Sequence, residues 1–285
     1  MNQGMKQLAR RLETEPAVLV TILESKGSAP RHAGAFMAVL AGGESIGTIG
    51  GGRVEAVCQQ RAARALAEQQ SAVEEYDLND RGPNQVGMAC GGQVRVEFLY
   101  LPAGRESAQE LARRAAQSGS GRVLLFGAGH VARALAALLP ALEFEYWVVD
   151  DRPEFAVKDA FPGAAGVLCE EMAAAVNRLE PTEEDLIVIM TRGHEHDYEV
   201  LREALATPAG YIGLMGSRRK IAMTRQKLEE EGFGPEQFAR VSTPIGLSIG
   251  AETPAEIAVS VAAQLIAWRA EHRGQGAKPL DLIHS

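Results

Sequence analysis

The sequence feature that most restricts the fold is a glycine-rich turn set between two apolar runs. Residues 123–126 are an unbroken apolar run of the sort that a parallel strand buried on both faces requires. Gly127, Ala128, Gly129, His130, Val131 and Ala132 follow, in the order G-x-G-x-x-A. The first glycine makes a tight turn, the second lets a phosphate approach the backbone, and a small third residue lets helix pack closely on strand. Val131, Ala134, Leu135, Leu138 and Leu139 then recur at helical spacing, and a second apolar run, 146–149, ends in Asp150 and Asp151. An acid roughly 20 residues beyond the glycines is placed to hold a ribose hydroxyl. The motif alone is weak, but strand, turn, helix, second strand and terminal acid in this order predict a Rossmann-type βαβ unit. That unit hosts many functions, so it does not by itself settle one.

A chain of 285 residues suggests one large or two ordinary domains. Its 46% apolar and 23% charged residues are an ordinary globular mix, and no apolar run is long enough to cross a bilayer. The first 16 residues lack an apolar signal core and read as an amphipathic helix, so the expected location is cytoplasmic. The net charge of −8 disfavours nucleic acid as a partner. Anionic ligands would need local devices such as helix N-termini or a few arginines. Cys58, Cys90 and Cys169 lie far apart without a C-x-x-C, which argues against a disulfide framework or structural zinc.

The first domain is expected over residues 1–103. Strands are predicted at 17–24, 35–40, 46–49, 72–78 and 93–101, with a helix over 53–69. Gly50, Gly51 and Gly52 precede that helix. They either place backbone N–H groups around an anion or simply form a tight turn with positive φ. Cys90, Gly91 and Gly92 sit at a loop-to-strand junction, where the thiol is either open to a ligand or a small buried apolar residue. Cys58, among alanines and valines, reads as core.

Residues 104–121 read as a linker, and 122–285 as a second domain in which strands and helices alternate around a parallel sheet. Strands are expected at 166–169, 185–190 and 211–214. The residues 191–197 are read as a loop before a helix at 198–205, and Thr253, Pro254 and Glu256 as the start of the last helix. In a parallel sheet all strand C-termini share one edge, where ligands bind. Residues 127–132, 150–152, 191–197 and 213–220 should therefore line one crevice, with Gly216, Ser217, Arg218, Arg219 and Lys220 offering a phosphate site or only a solvated helix face. His194, His196 and Asp197 could converge on a metal, or Asp197 could cap the following helix.

Assembled, these stretches resemble the XdhC/CoxI family of accessory proteins for molybdenum hydroxylases. The resemblance rests on Gly27–Arg31, on the run from Gly47 to Glu55, and on Gly87-Met88-Ala89-Cys90-Gly91-Gly92. It continues through the Gly127 turn, Thr191-Arg192-Gly193-His194 with Asp197, the run from Tyr211 to Lys220, and Gly250–Ala258. It implies an α/β protein, an N-terminal XdhC/CoxI-type domain followed by a Rossmann-like one. It also implies a chaperone, not an enzyme, that binds molybdenum cofactor (molybdopterin), protects it while a cysteine desulfurase installs the sulfido ligand, and helps insert it into an apo hydroxylase of the xanthine dehydrogenase type. Under that implication Gly50–Gly52, Cys90–Gly92, Gly127, Gly129, His130, Asp150, His194, Gly216, Ser217, Arg218 and Lys220 hold the cofactor, and Cys90 faces the metal. A homodimer is expected from the apolar last helix. The rival readings are an NAD(P)-dependent oxidoreductase, with Asp150 on the ribose and His194 or His196 as acid/base, and a nucleotide-sensing module.

Overall fold

The computed structural model describes residues 3–29, 31, 33–78, 92–109, 111 and 121–272. They fall into two compact units, divided between residues 118 and 119.

In the first unit, helix α1 (Gln3–Leu12) precedes strands β1 (Ala17–Gly27), β2 (Phe36–Leu40) and β3 (Ser45–Gly47), helix α2 (Gly52–Glu68), and strands β4 (Ala72–Asp77) and β5 (Gly92–Leu101). The strands form an antiparallel sheet in the order β3-β2-β1-β5-β4. The uninterrupted apolar run at the start of β1 is explained by burial on both faces. Val18, Val20 and Ile22 pack with Cys58, Ala62 and Ala65 of α2, whereas Ala17 and Leu19 pack with Met5, Leu8 and Leu12 of α1. The small side chains of α2 let it lie close to the sheet. Cys58 belongs to that core, and burial pushes its thiol up to about 12, far from reactive.

The second unit is a doubly wound parallel sheet. It contains β6 (Arg122–Phe126), α3 (His130–Leu138), β7 (Glu145–Asp150), β8 (Gly166–Cys169), α4 (Met172–Leu179), β9 (Leu186–Ile189), α5 (His194–Ala206), β10 (Tyr211–Leu214), α6 (Arg218–Glu230), α7 (Pro235–Phe238), β11 (Val241–Ser242) and α8 (Pro254–His272). The strand order is β11-β10-β9-β6-β7-β8, with every pairing parallel. Alternate residues of the central strands feed two cores. Val123 and Leu125 meet α3 and α8 on one face, and Leu124 and Phe126 meet α4 and α5 on the other. At the amino edge, Asp185 accepts from the Arg122 amide (2.7 Å) and its Nη2 (2.6 Å), tying β6 to the start of β9. The last helix begins as its sequence indicates, with the amides of Glu252 and Thr253 each donating to Glu256 at 2.9 Å. Among the described residues, no helix is long and apolar enough to cross a membrane.

One expectation about local structure is corrected. Helix α5 starts at His194, not at 198, so His194, His196 and Asp197 lie on its first turns.

Candidate functional site

The strand order reverses between β6, which is followed spatially by β7, and β9 on its other side. Ligands of open α/β sheets bind outside the carboxyl ends at such a point. The four segments expected to meet there all follow the carboxyl ends of β6, β7, β9 and β10, four neighbouring strands.

The glycine turn begins where β6 ends. Gly127 has φ of 108°, and a Cβ there would lie 2.4 Å from the Met190 carbonyl oxygen, so only glycine fits. Gly129, the N-cap of α3, has open space where a Cβ would be. That is the position at which a ligand could approach the helix start, beside exposed His130. Ala132 is buried and lets α3 pack against the sheet.

Asp150 departs from its expected role. The residue is 1% exposed. Its carboxylate accepts from the amides of Ala128 (2.8 Å) and Arg152 (3.1 Å), and from Arg152 Nε and Nη2 at 2.8 Å each. Burial alone would raise this carboxyl, but Arg152 and the two amides outweigh it and hold it below the usual range. An acid so enclosed fastens the glycine turn to β7 and is not presented to a ribose. The NAD(P) expectation loses its recognition group for that physical reason. Asp151 instead pairs with Arg192 Nη2 at 3.0 Å. Because β6 lies between β7 and β9, this ion pair spans the end of β6.

Beside it, between the ends of β9 and β10, lies an open cleft of about 280 Å³ lined by Thr191, Asp197, Met215, Gly216, Ser217, Lys220, Pro244 and Ile245. Asp197 reaches back from α5. Its Oδ1 accepts from Thr191 Oγ1 at 2.7 Å and from the Thr191 amide at 3.2 Å. Burial pushes the Asp197 carboxyl up, against the opposing pull of the Thr191 bonds, Lys220 and His194. Ser217 is the N-cap of α6 and accepts from the Lys220 amide at 3.4 Å. Gly216, Ser217 and Lys220 thus line a real concavity, and the backbone of Arg218 opens the helix at its edge.

The histidine and aspartate of the β9 segment do not converge on a metal. His194 Nδ1 lies 3.3 Å from Thr224 Oγ1, His196 Nε2 lies 3.3 Å from Arg192, and Asp197 turns to Thr191. No cluster suited to a metal ion is found among the described residues.

The glycines of the first unit hold an anion, and it is the protein's own. Gly50, Gly51 and Gly52 all have positive φ. Glu55 Oε2 accepts from the amides of Ile49 (3.1 Å) and Gly51 (3.0 Å) and from the Thr48 hydroxyl. The Gly50 amide donates to Thr48 Oγ1 at 3.1 Å. The site expected for an exogenous anion is filled by a side chain one turn into α2. Gly92 opens β5, and a Cβ there would lie 2.6 Å from the Lys26 carbonyl oxygen, so its role in the sheet is steric. Cys90 and Gly91 lie outside the described residues.

Thr191, Asp197 and Met215 fall within the segments expected to line the crevice, and sequence reasoning missed Pro244 and Ile245 as cleft walls. Pro244 and Ile245 carry no motif signal, whereas Asp197 near a helix start was readable as a side chain reaching back to a backbone amide.

Comparisons with known proteins agree with this architecture. The model of the XdhC Rossmann domain matches residues 123–265, and that of the XdhC and CoxI family matches residues 11–77. Escherichia coli K12 YqeB is 35% identical over 261 residues, covering 90% of this chain but 45% of YqeB, so the chain spans about half the length of that relative. A Bacillus subtilis 168 protein, named as a probable subunit of xanthine dehydrogenase, is 26% identical over 318 residues (90% of this chain, 94% of the relative). Escherichia coli K12 PaoD, named a molybdenum cofactor insertion chaperone, is 24% identical over 288 residues (89% and 83%). The crystal structure of a Bacillus halodurans protein described as a xanthine dehydrogenase has a TM-score of 0.76 at 23% identity, covering 98% of each chain, a likeness of fold.

Proposed function

The chain belongs to the XdhC and CoxI family, and from that premise we propose that it is an accessory protein, not an enzyme, that binds molybdenum cofactor as cargo and delivers it to an apo molybdenum hydroxylase. The observation that carries the proposal is the similarity to PaoD along 89% of this chain. The cleft is chemically suited to such cargo. Met215, Pro244 and Ile245 offer apolar walls to a flat ring, Asp197 offers an acceptor, and the α6 start with Lys220 offers positive potential to a phosphate. Gly129 and His130 extend the anion-binding edge along the crevice.

The finer parts of the proposal are that the cofactor is protected here during sulfuration by a cysteine desulfurase, that the recipient is of the xanthine dehydrogenase type, that Cys90 faces the thiophilic metal, and that the protein works as a homodimer. The division into an N-terminal domain, a linker at 104–121 and a Rossmann-like domain belongs to the same reading.

The test is to express the full chain in cells that make molybdenum cofactor and purify it without oxygen. Molybdenum is measured by mass spectrometry, and released pterin by fluorescence after oxidation, for wild type and Cys90→Ala. Near-stoichiometric pterin in the wild type is the expected result, with loading reduced in the variant. Equal loading in both removes Cys90 from the site. Absence of pterin from both, even after anaerobic reconstitution, overturns the proposal.

A further inference from the structure

We infer that the cleft between the ends of β9 and β10 recognises a 2-amino-4-oxopyrimidine edge, the edge shared by a pterin and a guanine, with Asp197 as its reader. The preference for a pterin between these two rests on the cargo reading above; the chemistry of the edge does not.

The argument starts from a buried acid that is only half used. Asp197 is 7% exposed and lines the cleft. Both hydrogen bonds it accepts fall on Oδ1 and come from Thr191, which fixes the rotamer. Oδ2 accepts none from the described residues. An ionised carboxylate only accepts, so a ligand that meets Oδ2 in the cleft has to bring donors. Lys220 lines the same cleft without forming an ion pair with it, and Ser217 uses its hydroxyl oxygen to cap α6.

The walls narrow the choice of donor. Met215, Pro244 and Ile245 are apolar and suit the face of a flat ring, while Gly216 adds no side chain. The ligand therefore has to be planar, apolar on its faces and rich in N–H donors along one edge. A 2-amino-4-oxopyrimidine presents an amino group beside a ring N–H, two adjacent donors that can share the two lone-pair sites of Oδ2. Adenine and cytosine place an acceptor beside the amino group, and a hypoxanthine edge lacks the amino group altogether. At the mouth, the α6 start and Lys220 are placed for an anionic substituent on the ring.

The experiment uses the full-length protein and does not depend on which cargo it carries in cells. Binding of 6-carboxypterin is followed by fluorescence quenching, and binding of GMP, IMP and AMP by calorimetry. Variants Asp197→Asn and Ile245→Trp are compared with wild type after their circular dichroism and melting curves are matched. The expected result is saturable binding of 6-carboxypterin and GMP. IMP should bind on the order of ten- to a hundredfold more weakly, as should both ligands in Asp197→Asn, the scale of one hydrogen bond to a charged group. Ile245→Trp should block the cleft. The GMP-to-IMP comparison is made on wild type, so it stands even if Asp197→Asn does not fold. GMP binding without 6-carboxypterin binding would assign the edge to a guanine nucleotide. Equal affinity for GMP and IMP, or no binding of any probe, overturns the inference. Cells that load wild type and Asp197→Asn with equal cofactor would overturn the pocket and leave the cargo reading intact. Tight 6-carboxypterin binding by a protein that never carries pterin from cells would do the reverse.

Discussion

The amide of Ala128 donates to Asp150 Oδ2 at 2.8 Å, joining the glycine turn after β6 to the last residue of β7. With the Arg152 amide and two guanidinium nitrogens on the same carboxylate, its acceptor sites are filled from within the protein. The Arg152 guanidinium also lies 3.6 Å from the centre of the Phe155 ring, so the clamp is itself clamped. An acid in the sequence position of a ribose ligand has become a structural tie.

Replacing Asp150 with Ala should therefore behave as the loss of a tie. Arg152 and the Ala128 amide would lose their acceptor together, and the expected destabilisation is about 3 kcal/mol. Urea unfolding at unchanged slope measures it. A cost below about 0.5 kcal/mol would mean that the clamp contributes no more than a surface ion pair.

The pH dependence of stability should carry the same signature at the opposite edge of the sheet. Burial alone would raise the carboxyls of Asp150 and Asp185, but hydrogen bonds from Arg152 and Arg122 and from backbone amides hold both below the ordinary 3.8. A carboxyl depressed by folding adds stability that is complete above its unfolded pKa and is lost as the pH falls through its folded one. Arg122→Ala leaves the buried Asp185 without its cation. It should cost about 3–5 kcal/mol at pH 7 and distinctly less at a pH below the ordinary 3.8, where a buried Asp185 that has lost its cation takes up a proton. Denaturant midpoints at the two pH values decide it, and an equal cost at both would rule out an Asp185 held ionised by Arg122.

The two glycines of the turn should separate structure from binding. A Cβ on Gly127 would meet the Met190 carbonyl oxygen at 2.4 Å on a backbone of φ 108°, so Gly127→Ala should destabilise the second unit by about 3 kcal/mol or more. A Cβ on Gly129 meets nothing within 4 Å. Gly129→Ala should change stability by less than about 1 kcal/mol, while lowering cofactor loading if a phosphate approaches the α3 start. Melting curves and pterin content of the two purified variants test both halves.

The second unit was legible because its strands are short apolar runs buried on both faces and its helices have one apolar stripe, signals that need no tertiary knowledge. The last helix could be placed from Thr253 and Glu256 because a capping box is local. The start of α5 was not legible. Thr191-Arg192-Gly193-His194-Glu195-His196-Asp197 has the composition of a loop, and the helix begins inside it at His194. The partners of Asp150 and Glu55 were hidden for a related reason. Sequence shows an acid near glycines, but only the fold shows whether the acid fills the site or leaves it for a ligand.

Glu55 provides the sharpest case, because its removal should turn the filled site into an open one. Its Oε2 accepts from the Ile49 and Gly51 amides and from the Thr48 hydroxyl, within a turn whose three glycines have positive φ. In Glu55→Ala these donors lose their acceptor, and the first unit should lose about 1–3 kcal/mol. The N–H groups would still point at the vacated space from the start of α2, the arrangement that binds small anions. Phosphate or sulfate should then bind the variant and stabilise it by mass action, raising its melting temperature in a saturable way while leaving wild type little changed. Melting curves across a phosphate series, with chloride at matched ionic strength as the control, make the comparison. A variant that melts lower and does not respond to phosphate would show that the turn depends on the Glu55 side chain for its shape, and that the glycines alone do not build an anion site.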